Sequence, residues 1–323
     1  MLTGHPAINR IYTLEKDRNL FSSWSKQMTL FSEIRKERYD IVLELTRNDR
    51  GAFLAFVSGA SKRLGFASPR TKLFGRHLLY TDLIVPRMGI HMVERQLQMI
   101  EHLGLAIPMK APSLYWSSEN EEKAMGILAS VRIRPGESYV VLHPILRSRY
   151  KAWHKEGYAA LCDHLEDKWH LRTIIVCGRE AGEIRFAEQI LPLCQKSRPI
   201  HLGGRLSLKE LAVVISRAAL YIGIDSGPMH MAAALKTPLI AIFGSQRKEH
   251  WGPYGNDQTV VQKPWACVPC TLAGCDDKGI RSRCLDELTS EEMIAVLDRK
   301  MARLVQDREG MLQQQHPSHR TSS

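Results

Sequence analysis

Between Tyr139 and Phe243 short apolar runs alternate with longer segments of helical spacing. Tyr139–His143, Arg172–Cys177, Leu220–Ile224 and Pro238–Phe243 read as strands. Lys155–Trp169, Ala181–Leu193, Ser207–Ala218 and Met229–Leu235 read as helices, the third opened by a capping box of Ser207 and Glu210. Uninterrupted apolar strands separated by helices predict βαβ units and a parallel sheet. The first half is less regular. Tyr39–Leu45 and Lys62–Phe66 read as strands and Gly51–Val57 as a helix. His91–Leu103 places Met92, Leu97, Ile100 and Leu103 at helical spacing and stops at Gly104. Residues 105–137 scatter Pro, Ser and Gly around one helix at Glu121–Val131, which puts a domain junction near residue 130. Thr289–Leu304 is a last amphipathic helix, capped by Thr289 with Glu291 and Glu292 in its first turn. The expected organisation is a domain over 1–130, a second over 131–305 and a disordered polar tail over 306–323.

Length agrees with two domains, since 323 residues exceed the usual single core. No apolar run approaches the roughly 20 residues that span a bilayer. MLTGHPAINRIYTLEKDR lacks the apolar core of a secretory signal, so the expected compartment is the cytoplasm. The net charge is +11, and residues 1–110 hold 17 Lys/Arg against 10 Asp/Glu. A basic surface suits anionic partners. No RNP motif or paired zinc-finger spacing is present, so nucleic acid is not expected, and an anionic membrane surface or phosphorylated substrate fits better.

The chemistry concentrates in Leu220–Gly244, LYIGIDSGPMHMAAALKTPLIAIFG. A strand ends at Asp225, a small Ser226-Gly227-Pro228 turn follows, and a short helix begins. Amides at a helix N-terminus together with the helix dipole attract anions, and open α/β sheets bind ligands at the carboxyl ends of their strands. The turn therefore reads as a cradle for the diphosphate of a nucleotide-linked substrate. Asp225 is placed to bind ribose or sugar hydroxyls, or to cap the helix. His230, in the first helical turn, would sit beside a bound phosphate or serve only the structure. Lys151, in the loop after Tyr139–His143, can neutralise a departing diphosphate, with Arg147 and Arg149 as neighbouring candidates. Glu183 opens the helix after Arg172–Cys177, where it can hold ribose hydroxyls or answer the helix dipole. Cys162, Cys177 and Cys194 fall in helix or strand patterns and read as small buried hydrophobes. Cys267, Cys270, Cys275 and Cys284 form a four-thiol set that suits a structural zinc, after it an iron–sulfur cluster, or a group of reduced thiols.

These motifs together resemble glycosyltransferase family 9, the ADP-heptose:lipopolysaccharide heptosyltransferases, most nearly of the type III kind. The resemblance rests on DSGPMH followed by AAAL and TP, on HPILRSRYKAW (His143–Trp153), on GRLSLKEL (Gly204–Leu211) and on CVPC…GC…CL (Cys267–Leu285). YDIVLELTRNDRGAFLAFVSGASKRLGF adds a match in the first half. It implies a GT-B fold, α/β with two Rossmann-like domains whose parallel sheets face a cleft. The C-terminal domain would hold the nucleotide sugar and the N-terminal domain the acceptor. It further implies inverting transfer of heptose from ADP-heptose to the inner core of lipopolysaccharide, a lipid A-core oligosaccharide acceptor, and work at the inner face of the inner membrane as a peripheral protein. No cofactor is required for that reaction. The match of Lys151 and Trp153 to a K-x-W ending favours Lys151 over the arginines, and Leu206 and Ser207 fall on a segment that contacts the base.

Members of the family open with a strand and a Gly-Asp turn whose aspartate is the usual base. MLTGHPAINRIY resembles a point well inside that domain, so the first βα unit is expected to be missing and the base is assigned to no residue. Asp49 is a nearby candidate for acceptor binding or for capping the next helix. The competing reading is a GT-B protein that binds a nucleotide sugar without turning it over. A nucleotide-sugar epimerase would need further acid and base groups, and a dinucleotide dehydrogenase would need a GxGxxG after a first strand.

Overall fold

The computed structural model describes residues 1–13, 20–67, 75–108, 110–145, 148–255, 258–270, 272–275 and 281–315. The chain divides into two compact units, residues 2–110 and 111–323, with Met1 grouped with the second.

The first unit contains α1 (Leu20–Lys36), β1 (Ile41–Glu44), α2 (Asp49–Ser58), β2 (Lys62–Phe66), β3 (Asp82–Ile84) and α3 (Met92–His102). Its described strands form a parallel sheet in the order β1-β2-β3. Asn48 caps α2, its side chain accepting from the Gly51 amide at 2.8 Å, so Asp49 is the first helical residue and not the cap. Gly59, at φ 69°, closes the helix with a left-handed turn that a side chain would strain. Leu64, Phe66, Ile84 and Met99 make a small core. Glu44 is buried at the end of β1, where its carboxylate accepts from the Thr46 amide at 2.9 Å and the Tyr80 hydroxyl at 3.0 Å.

The second unit runs α4 (Ser118–Ser130), β4 (Tyr139–His143), α5 (Lys155–Trp169), β5 (Arg172–Ile175), α6 (Ala181–Glu188), β6 (Ile200–His201), α7 (Leu208–Ser216), β7 (Leu220–Ile224), α8 (Gly227–Ala234), β8 (Leu239–Ile242), α9 (Lys248–Trp251), β9 (Thr259–Val261), α10 (Arg283–Asp286) and α11 (Ser290–Gln315). Six strands pair in parallel in the order β6-β5-β4-β7-β8-β9. This is the doubly wound order of a Rossmann-type sheet, which reverses direction between β4 and β7. Strands β4, β5, β7 and β8 are buried along most of their length. One face packs on α5, α6 and α11, and the other on α4, α7 and α8.

Three boundaries differ from those expected. The units part at Lys110 and Ala111, because α4 buries Ala124 and Leu128 against α7 in the core of the second unit instead of ending the first. Helix α6 stops at Glu188, ahead of a tight turn at Leu191–Leu193 that contains Pro192. Helix α11 continues to Gln315, past the start of the tail expected to be disordered; residues 316–323 lie outside the described set.

Candidate functional site

The site is assembled at the reversal point. β4 and β7 lie side by side with His143 opposite Gly223, so both strands deliver their following loops to the same sheet edge. The loop after β4 carries Lys151 at the end of a short helical turn, Arg149–Lys151. The end of β7 carries Asp225, whose amide donates to Ile242 at 3.3 Å and fixes it to β8. The Lys151 Nζ donates to Asp225 Oδ2 at 2.6 Å, with both side chains mostly buried. The lysine of the loop after β4 and the carboxylate at the end of β7, which the sequence had singled out separately, thus meet as an ion pair. Arg147 lies outside the described residues, and of Arg149 only the backbone is described.

Helix α8 begins directly beyond. Its cap is Ser226, in extended geometry and with no side-chain cap bond, so Asp225 does not cap the helix. The Met229 and His230 amides turn back to the Ser226 carbonyl at 3.1 and 3.3 Å, and Pro228 has no N–H. Among the described residues this leaves two amides of the turn without a hydrogen bond, those of Ser226 and Gly227. The anion cradle is thus narrower than a full helical turn, because the first turn is tight and proline occupies its second position. Gly227 is exposed and His230 half-buried.

A buried polar group underlies this turn that the sequence did not reveal. The Ser226 Oγ lies 3.3 Å from Nδ1 of His143, and both side chains are buried. Burial drives the His143 pKa down to about 4, against a smaller upward pull from its own carbonyl, so the ring is neutral at physiological pH. The Tyr221 hydroxyl, also buried, has no hydrogen-bond partner among the described residues. Gly223 is part of the same fit, since a Cβ there would run into the Tyr221 ring. Only strand register, which pairs His143 with Gly223, brings these residues together.

The remaining predicted residues are more ordinary in their contacts. The Glu183 carboxylate accepts from the Gly178 amide at 2.8 Å and braces the turn between β5 and α6. Ser207 makes the expected capping box, with its amide donating to Glu210 at 2.7 Å and the Glu210 amide returning to Ser207 Oγ at 3.3 Å. Leu206 is half-buried against the core on the α7 face. Cys162 and Cys194 are buried as expected, whereas Cys177 is half-buried. Of the four-thiol set, Cys267 and Cys275 are exposed, Cys270 is half-buried and Cys284 is buried. Burial, then the neighbouring thiols of Cys275, Cys270 and Cys267, pushes the Cys284 thiol up to about 11. The four sulfurs are near enough to feel one another, yet among the described residues no three His, Cys, Asp or Glu side chains stand close enough to hold a metal ion.

An open parallel sheet with a charged pair and unbonded amides at its reversal point is the arrangement at which doubly wound α/β proteins bind ligands. The chain belongs to glycosyltransferase family 9 (heptosyltransferase), whose sequence model matches residues 27–280. It is therefore a glycosyltransferase. Lipopolysaccharide heptosyltransferase 3 of Escherichia coli K12 is 27% identical over 305 residues, covering 93% of this chain and 85% of that protein. The lipopolysaccharide core heptosyltransferase OpsX of Haemophilus influenzae is 25% identical over 244 residues, covering 74% and 67%. Among solved structures, E. coli ADP-heptose lps heptosyltransferase II superposes with a TM-score of 0.68 at 20% identity, covering 88% of this chain and 82% of that one. E. coli heptosyltransferase WaaC with ADP superposes at 0.62 and 19% identity, covering 86% and 78%. These likenesses give the fold, α/β with two parallel-sheet units.

Proposed function

We propose that the chain transfers heptose from ADP-heptose to the inner core of lipopolysaccharide, with inversion at the anomeric carbon. Family membership and relatives named for lipopolysaccharide heptosyl transfer support the reaction class. The observation that carries the site is the Lys151–Asp225 pair beside the unbonded amides of Ser226 and Gly227. A lysine ammonium has three N–H donors. Asp225 takes one and fixes the head, and the other two are directed to the donor's diphosphate. As the anomeric C–O bond breaks, the sugar gains oxocarbenium character and ADP gains charge. An ammonium and two amides already in place stabilise that charge more in the transition state than in the ground state. His230 assists at the phosphates, Glu183 at the ribose, and Leu206 and Ser207 at the base. The hydroxyl of a lipid A-core oligosaccharide is the nucleophile, and its base is assigned to no described residue.

No described helix is long and apolar enough to cross a membrane. The reading puts the protein at the anionic inner face of the inner membrane through its positive charge, as a peripheral protein. The test is heptose transfer from ADP-heptose to a defined core acceptor. Asp225→Ala and Lys151→Ala should each lower kcat by about 100-fold or more. Unchanged rates in both variants would remove the donor site from this turn. ADP-heptose that binds in titration calorimetry but is never transferred would instead support a binding protein.

A further inference from the structure

Ser226 stands in the donor turn, yet its hydroxyl does not cap α8. A serine at that position ordinarily spends its side chain on the helix amides. Here the hydroxyl faces inward, toward Nδ1 of His143 at 3.3 Å. The side chains of His143, Tyr221 and Ser226 lie on the face of the sheet covered by α8. Along β4, Tyr139 and Val141 pack on that face while Val140 and Leu142 pack on the other, so the alternation carries His143 to the α8 side. Along β7 the same alternation carries Tyr221 and Gly223 there, and the missing Cβ at Gly223 makes room for the Tyr221 ring beside His143. A hydroxyl oxygen can accept two hydrogen bonds and donate one. If Nδ1–H donates to Ser226 Oγ, the serine's own proton is left to point outward, to the side where the Ser226 and Gly227 amides also make no bond.

We propose that His143 is a positioning residue of the donor site: its buried Nδ1–H fixes the Ser226 hydroxyl so that it donates to a diphosphate oxygen of the bound nucleotide. The proposal rests on the placement of the diphosphate at the Ser226 turn given above. It assigns the Nδ1–H tautomer to His143. It also explains why a histidine, and not another aliphatic residue, ends a strand otherwise buried in apolar surroundings.

The test is ADP affinity by titration calorimetry on the full chain, with thermal melting as a control for folding. Asn can place an N–H close to where the imidazole Nδ1–H lies, and Leu cannot. His143→Leu should weaken ADP by about tenfold, His143→Asn should stay within about threefold of the parent, and Ser226→Ala should lose about tenfold. In the Ser226→Ala background His143→Leu should add no further loss, because the two act through one hydrogen bond. Additive losses, or an Asn variant as weak as the Leu variant, would show that His143 serves only packing and would overturn the proposal. Undiminished ADP binding in both Ser226→Ala and Lys151→Ala would overturn the donor placement itself, a result distinct from a failure confined to His143.

Discussion

Lys151 and Trp153 stand two positions apart in one motif and act on different levels. Lys151 reaches Asp225, whereas Trp153 turns into the core, donates its indole N–H to the Leu288 carbonyl at 2.7 Å and meets Tyr158 edge-on at 5.1 Å. Trp153 thereby anchors the loop that aims Lys151, and Gly157 lets α5 approach, because a Cβ there would strike the indole. His143 carries a prediction at the same scale. Its ordinary pKa of 6.5 falls to about 4 on burial. The unfolded chain therefore takes up a proton that the folded protein refuses between those values. The stability gained by keeping the ring neutral is complete above about pH 6.5 and is lost as pH falls toward 4, to an extent of about 3 kcal/mol. Urea unfolding across that range should show the decline, and His143→Asn should flatten it. An equal slope in parent and variant would remove His143 as its source.

At the scale of elements, the apolar contact of α11 with α5 is reinforced by the carboxylate of Asp298. Asp298 accepts from His164 Nε2 at 2.8 Å, from Trp169 Nε1 at 2.9 Å and from Lys168 at 2.7 Å. Burial opposes its ionisation, but the bonds from Lys168, His164 and Trp169 outweigh it and hold the carboxyl at about 2. A depressed pKa stabilises above the ordinary value of 3.8 and ceases to do so as pH falls through 2. Asp298→Asn should cost about 1–2 kcal/mol at neutral pH after allowance for solvent screening, and the deficit should close in acid. A deficit of the same size in acid would point to lost packing. Helix α5 was legible in the sequence to its ends, because its apolar spacing is strong over Lys155–Trp169. Strands β3, β6 and β9 were not, since strands of two or three residues carry no readable alternation, and without β6 and β9 the strand order could not be written. The same limit applied at the site. Lys151, Asp225 and Ser226 were readable because each lies in a local motif. The cluster of His143, Tyr221 and Ser226 depends on register between β4 and β7, which no local pattern encodes.

For the whole molecule, the charge balance is what the proposed membrane contact rests on. Of its net +11, an excess of seven positive charges falls within residues 1–110. That unit also exposes large apolar side chains beside cations, with Val85 and Met88 more than three-quarters exposed on either side of Arg87. Each cation near an anionic bilayer contributes about 1 kcal/mol, and the attraction fades within a Debye length, about 10 Å at 0.1 M salt and about 3 Å at 1 M. Exposed apolar groups add binding that salt does not screen. The two contributions separate in a co-sedimentation experiment. Vesicles containing phosphatidylglycerol should retain the protein at low salt and release most of it as salt is raised toward 1 M, while vesicles of phosphatidylcholine alone should retain little at either. Equal retention on both lipids would assign the contact to Val85, Met88 and their neighbours and remove electrostatics as the reason this chain is basic. Retention on neither would confine the positive charge to substrate recognition, where the anionic acceptor itself would have to hold the enzyme at the surface.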